Sequence, residues 1–200
     1  MSKRVYISAD YSEVDGDRNV VNELHKWSRD NRYSVDYKDT AQVVKGSVSN
    51  DPDCRPCDLK KEFNGQINSS SVVIFIIGDK TASRAAGSTC RRVSAGSYCL
   101  CTPYKQNANG TTYCNKYNTS GSWYDVNEIN NYSYLEHEFR QAVKKRKSIV
   151  IVYNSLNKQS SWLPSYMRNY ACYAQPFWTK NNWGERVGNY DFIKKALGYV

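Results

Sequence analysis

Three short segments of this chain are apolar on both faces of a strand, and they constrain its fold more than any other feature. They are Val5 to Ala9, Ser71 to Ile77 and Ser148 to Tyr153, each rich in β-branched and aromatic residues. A strand that is apolar on both faces must be covered on both faces, as in a parallel sheet between two layers of helices. A fourth, weaker candidate strand runs from Tyr33 to Tyr37.

Helical patterns separate these strands. Apolar residues recur at helical spacing in Val14 to Ser28, Leu59 to Ile67 and Ser133 to Arg146, and a last short helix is predicted at Asn189 to Leu197. Alternation of strand and helix is typical of an α/β fold with a mainly parallel sheet and right-handed crossovers. In such folds ligands bind at the carboxyl ends of the strands.

Two polar stretches interrupt this alternation. Thr40 to Asp58 contains one glycine and two prolines, and Arg84 to Asn131 is rich in Gly, Ser, Asn, Tyr and Cys with no helical period. Because 200 residues are ample for one core but few for two, we predict a single domain over the whole chain. Residues 84–131 are then an irregular insert within it.

Composition and charge exclude several classes of protein. The longest apolar run, Val72 to Ile77, is too short to cross a bilayer, and the amino terminus lacks the apolar core of a signal peptide. We therefore expect a cytoplasmic protein with no membrane partner. The net charge of +9 comes from basic residues spread along the chain rather than gathered in one stripe. This spread favours attraction of an anionic ligand, and a nucleic-acid interface is the alternative.

Six of the seven cysteines lie in the two polar stretches. Cys54 and Cys57 form a Cys-x-x-Cys pair, and Cys99 and Cys101 lie in the predicted insert. Four thiolates from these residues could hold a structural zinc ion that staples the loops. Free thiols are the alternative, because the second pair lacks the Cys-x-x-Cys spacing. A redox role for the first pair is disfavoured, because that motif usually opens a helix directly after a strand and here it follows a predicted loop.

Glu138 lies at the border of the apolar stripe of the third predicted helix, beside Tyr134. The stripe consists of Leu135, Phe139, Ala142 and Val143. A carboxylate at such a border, next to an aromatic ring and near strand ends, suits a catalytic acid, and a solvated glutamate is the alternative. His137 points about 100° away from Glu138, so we predict that it faces solvent. Ser133 and Glu136 have the spacing of a capping box, which gives Glu136 a structural role.

The order and spacing of several sequence blocks resemble a known family. The blocks are Lys3 to Ser8, Ile67 to Thr81, Tyr134 to Glu138 and Ser148 to Val152. They are similar to the TIR-like family that includes the ThsB sensor proteins of bacterial Thoeris antiphage defence. The resemblance implies a flavodoxin-like TIR fold with a key glutamate on the helix after the third strand. It also implies cleavage of NAD at the nicotinamide–ribose bond, giving ADP-ribose or a cyclic ADP-ribose-type signal.

The resemblance assigns roles to individual residues. Glu138 takes the place of the catalytic glutamate, and Tyr134 that of the aromatic residue four positions earlier. Substrate-binding positions lie at the carboxyl ends of the strands: Ser8 and Asp10 at the end of the first, Asp36 at the start of the loop after the second, and Asp79 after the third. The chemistry needs no metal or other cofactor, because one carboxylate can stabilise an oxocarbenium-like transition state when the leaving group is already cationic.

The resemblance also implies partners. They are NAD as the substrate, a downstream effector protein that responds to the nucleotide product, a phage-derived trigger, and further copies of the chain in a homo-oligomer. Members of the family usually pass quickly from the turn after the third strand to the catalytic helix, whereas this chain has residues 84–131 in between. Substrate and product can therefore differ from those of the family. A non-catalytic TIR-like interaction module is the alternative function.

Overall fold

A computed structural model of the chain describes residues 3–10, 17–29, 35–39, 55–83, 105–106, 112–113 and 133–199. The chain divides into two compact units. The first comprises Met1–Gln42, Gln66–Arg84 and Phe139–Val200, and the second comprises Val43–Gly65 and Ala85–Glu138. Most of residues 84–131 lie outside the described part, so the single domain and its irregular insert stay predictions.

The helices and strands alternate along the described chain, as the hydrophobic pattern predicts. In chain order the strands are β1 (Lys3–Ser8), β2 (Val35–Asp39), β3 (Val72–Ile77), β4 (Lys105–Gln106), β5 (Thr112–Tyr113), β6 (Ser148–Tyr153), β7 (Gln175–Pro176), β8 (Trp178–Lys180) and β9 (Arg186–Gly188). The α-helices are α1 (Arg18–Arg29), α2 (Arg55–Asn68), α3 (Tyr134–Lys144) and α4 (Tyr190–Ala196). Short 3₁₀ segments occur at Thr81–Ser83, Ser160–Trp162 and Ser165–Tyr170.

The first unit contains a five-stranded sheet in the order β2-β1-β3-β6-β7. Each neighbouring pair in this sheet is parallel, which confirms the predicted α/β class with a mainly parallel sheet. β4 and β5 form a separate antiparallel pair in the second unit, and β8 and β9 form another in the first. β2 overlaps the predicted strand from Tyr33 to Tyr37 and continues to Asp39, whereas Tyr33 and Ser34 lie outside the described residues.

One face of the sheet packs against α1 and α4. Val20, Val21, Leu24 and Trp27 are the buried residues of α1, and they recur at the spacing of one helical face. They meet alternate residues of the strands, among them Ile7, Ile74 and Val152. Trp27 also stacks on Phe177, with ring centroids 5.6 Å apart. The residues on this face of the sheet form an apolar core together with those of α1 and α4.

The opposite face of the sheet packs against aromatic residues. Phe139 of α3 lies edge-on to Phe75 of β3, with ring centroids 5.5 Å apart. Tyr166 and Tyr170 of the third 3₁₀ segment pack on the same ring of Phe139 at 5.7 and 5.3 Å. β3 is therefore covered on both faces and buried along its whole length, which explains why it is apolar throughout.

In the part of the chain that the structure describes, none of the helices combines the length and the apolar character that crossing a membrane requires.

Candidate functional site

The amino terminus of α3 is capped as the sequence predicts. The backbone N–H of Glu136 donates to Ser133 Oγ at 3.1 Å, which satisfies one of the open donors of the first turn. The helix therefore begins at Tyr134, one residue after the serine. Because the helix begins at this cap, the cap sets the direction in which the later side chains of the helix point, that of Glu138 among them.

Glu138 is buried, with 1% of its surface exposed. On the helical wheel it lies in the middle of the buried arc of α3. Buried His137 and Gln141 flank it on one side, and buried Leu135, Ala142 and Phe139 flank it on the other. The border position predicted for Glu138 and the alternative of a solvated glutamate are thus both wrong. Burying a carboxylate is costly, so a protein keeps one there only where it is paired, hydrogen-bonded or used.

His137 widens the buried arc, contrary to the prediction that it faces solvent. It is buried, and its Nε2 lies 2.9 Å from Oδ1 of Asn64 on α2, within the second unit. In the same unit Tyr134 packs edge-on against Phe63 of α2, with ring centroids 5.9 Å apart. These two contacts, one polar and one aromatic, pack α3 against α2. The spacing of apolar residues in the sequence gives no sign of the polar contact.

Val143 departs from prediction in the opposite sense. It belongs to the apolar stripe of the sequence, yet 43% of its surface is exposed. The buried arc is centred on Glu138, and Val143 lies outside it on the helical wheel. The apolar stripe is therefore displaced from the true buried face of α3.

Three of the predicted substrate-binding residues lie at the carboxyl end of the sheet in the first unit. Ser8 ends β1 and is fully buried, Asp10 follows it, and Asp79 is exposed just beyond β3. β1 and β3 are neighbours, with Ser8 opposite Phe75, so these three residues share one edge of the sheet. Glu138 and Tyr134 belong to the second unit.

Asp36 does not share that edge. It is the second residue of β2 and pairs in register with Arg4 near the start of β1. The expected position of Asp36 at the start of the loop after the second strand is wrong, because β2 includes Asp36 and continues to Asp39. Asp39, the last residue of β2, is the acidic residue at the carboxyl end of that strand.

A polar network at the carboxyl end was not found from the sequence. Asn154, directly after β6, donates from Nδ2 to Asp17 Oδ1 at 2.8 Å and accepts at Oδ1 from Trp178 Nε1 at 2.7 Å. Asp17 is buried at 3% exposure and its backbone carbonyl accepts from the first turn of α1. The guanidinium of Arg186 stacks on the Trp178 ring at 4.2 Å. These residues tie the start of α1 to the end of β6 and the start of β8.

The predicted zinc site cannot be followed in full. Cys54, Cys99 and Cys101 lie outside the described residues, and Cys57 falls in the first turn of α2. The loop predicted up to Asp58 therefore ends earlier, because α2 begins at Arg55. Across the described ranges, no group of three or more His, Cys, Asp or Glu side chains could hold a metal ion. The zinc ion stays a prediction.

Comparisons with known proteins leave the family open. No protein-family model matches the sequence, and no curated protein matches it either.

Proposed function

We propose that this protein is a TIR-like enzyme that cleaves NAD at the nicotinamide–ribose bond, with Glu138 as the essential carboxylate. The observation that carries the proposal is the burial of Glu138 in the middle of the packed arc of α3. The sheet order supports it as well. Numbered along the sheet's own strands, the order is 2-1-3-4-5, the order of flavodoxin-like folds.

The chemistry asks little of the protein beyond charge stabilisation. When the C1′–N bond breaks, its electron pair goes to the pyridinium nitrogen, and nicotinamide leaves as a neutral molecule without a general acid. The ribose carbon is left with oxocarbenium character. A carboxylate held away from water attracts that developing charge more strongly than a solvated one. This is the role that we assign to Glu138.

The other assigned residues orient the substrate. Ser8, Asp10 and Asp79 at the carboxyl end of the sheet offer hydroxyl and carboxylate groups that suit ribose hydroxyls, and Tyr134 offers an aromatic face. Attack by water at C1′ gives ADP-ribose and a proton. Attack by a nucleophile of the same molecule gives a cyclic product. Either product would act on a separate effector protein in antiviral defence, in the cytoplasm and after a phage-derived trigger.

The test compares nicotinamide release from NAD by the wild type, Glu138→Gln and Glu136→Gln. Glu136→Gln is the matched control, because it makes the same change on the same helix, at the cap. We expect Glu138→Gln to lose about 100-fold or more of the activity and Glu136→Gln to retain most of it. The assay is run with and without lysate of phage-infected cells, since the activity is expected to await a trigger.

Two outcomes would contradict the proposal. One is nicotinamide release by the wild type that never exceeds that of Glu138→Gln under either condition. The other is equal protection of cells from phage by the wild type and Glu138→Gln, which would favour a non-catalytic interaction module.

A further inference from the structure

Tyr153, the last residue of β6, has a buried hydroxyl whose hydrogen-bonding capacity is not satisfied. Its side chain is fully buried, and its hydroxyl has no hydrogen-bond partner among the described residues. Buried polar groups are nearly always hydrogen-bonded, and an exception calls for a physical explanation. A phenylalanine would fill almost the same volume without that penalty. Packing alone therefore does not explain why a tyrosine and not a phenylalanine stands at this position.

The position of Tyr153 points to the ligand end of the sheet. It lies opposite Ile77, the last residue of β3, so both mark the carboxyl end of their strands. Side chains alternate along a strand, and Val152 belongs to the core with α1 and α4. Tyr153 therefore lies on the other face. By the same alternation Ser8 of β1 shares that face, since Ile7 belongs to the α1 and α4 core.

The backbone around Tyr153 is held firmly. The carbonyl of Tyr153 accepts from the N–H of Phe177 at 2.8 Å, and the N–H of the next residue, Asn154, donates to the Ile77 carbonyl at 2.9 Å. The Asn154 side chain is fixed in turn by Asp17 and Trp178. A side chain on such a support is preorganised, because little freedom remains to be lost on binding.

We infer that the Tyr153 hydroxyl binds the nucleotide substrate, by donating a hydrogen bond to a ribose oxygen of NAD. This inference rests on the proposed function. Burial raises the pKa of Tyr153 above its ordinary value, so the hydroxyl keeps its proton at neutral pH. A neutral donor suits a neutral ribose hydroxyl rather than a phosphate, which is commonly bound by Arg or Lys. Tyr153 was not among the residues singled out by sequence, where it reads as one more apolar strand residue.

The test measures NAD affinity by titration calorimetry in Glu138→Gln protein, which binds NAD without consuming it on the proposed mechanism. The second protein carries Tyr153→Phe in addition. The control carries Tyr37→Phe, because Tyr37 is a buried tyrosine of the same sheet in the core with α1 and α4. We expect Tyr153→Phe to weaken NAD binding about tenfold, or about 1.4 kcal/mol. We expect Tyr37→Phe to change the affinity less than about twofold.

The thermal midpoint of the ligand-free proteins separates binding from structure. Loss of an unpartnered hydroxyl should leave the midpoint of the Tyr153→Phe protein unchanged or raise it. A lower midpoint would show that the hydroxyl is structural and would overturn the inference. Equal NAD affinity with and without Tyr153→Phe, or no NAD binding by the Glu138→Gln parent, would overturn it too. The proposed function is judged separately, by nicotinamide release from the wild type.

Discussion

The two ends of the central sheet use polar side chains in different ways. At the amino end, Lys147 Nζ donates to the backbone carbonyls of Asn68 and Ser70 at 2.8 and 2.6 Å. Lys3 likewise donates from Nζ to the carbonyl of Leu197, just after α4. At the carboxyl end, Asn154 and Asp17 bond through their side chains. At the amino end of the sheet, lysine side chains thus satisfy backbone carbonyls at the ends of helices. At the carboxyl end, where ligands of α/β proteins usually bind, polar side chains bond to one another.

Among the substitutions that test the two ends of the sheet, Asn154→Ala should lower the stability of the protein most. It leaves the buried Asp17 carboxylate without the Asn154 donor and the Trp178 N–H without its acceptor. We expect the free energy of unfolding to fall by about 3 kcal/mol, because buried groups that lose partners bear the full cost of desolvation. Urea unfolding measures this loss.

Asn157→Ala is the matched control, since Asn157 lies three residues further on and is exposed. It should change stability by less than about 0.5 kcal/mol. If both variants lose the same amount, the carboxyl-end network contributes nothing beyond an ordinary surface residue, and the contrast between the two ends disappears.

Gly78→Ala tests the same network through its packing. A Cβ on Gly78 would lie 2.6 Å from Asp17 Oδ1, too close for either group to stay in place. We expect a loss of about 2 kcal/mol in chemical denaturation, in the range of an overpacked site. Gly65→Ala on α2 is the control, because no atom lies within 4 Å of a Cβ there. Gly65→Ala should stabilise by up to about 1 kcal/mol, and a loss in both variants would point to the glycine backbone instead of the Asp17 contact.

Local patterns were enough to predict β1, β3, β6 and α1 of the first unit, but not β7, β8 or β9. β6 begins and ends at the predicted residues, because a run of β-branched residues buried on both faces has few other uses. α1 buries Val20, Val21, Leu24 and Trp27 as their spacing predicts. The predicted start of this helix at Val14 lies outside the described residues, and its observed end is one residue beyond Ser28. These features depend on neighbours in sequence, which the chain itself displays.

The candidate site depends on residues far apart in sequence, so periodicity located it only in part. Asn154 and Asp17 are separated by 137 positions, and no local pattern links them. His137 reads as a solvent-facing polar residue until Asn64 of α2 is known to face it. Glu138 was singled out from the sequence as a candidate, but its burial could not be predicted, because it depends on which sides of α3 are packed. Contacts of this kind need the tertiary structure.

Lys147→Met should have the smallest effect, and it tests the amino end. The substitution keeps most of the side-chain length but removes the ammonium that bonds the Asn68 and Ser70 carbonyls. Arg146, with a left-handed φ of 51°, turns the chain just before this lysine. We expect a loss of about 1 kcal/mol in urea unfolding, since the carbonyls regain water in part. Lys145→Met, in the same basic run but exposed, should lose less than about 0.5 kcal/mol. Because the lost bonds are to backbone at the end opposite the proposed ligand, NAD affinity should stay unchanged in Lys147→Met. A weaker affinity there would show that the two ends do not divide stability from binding.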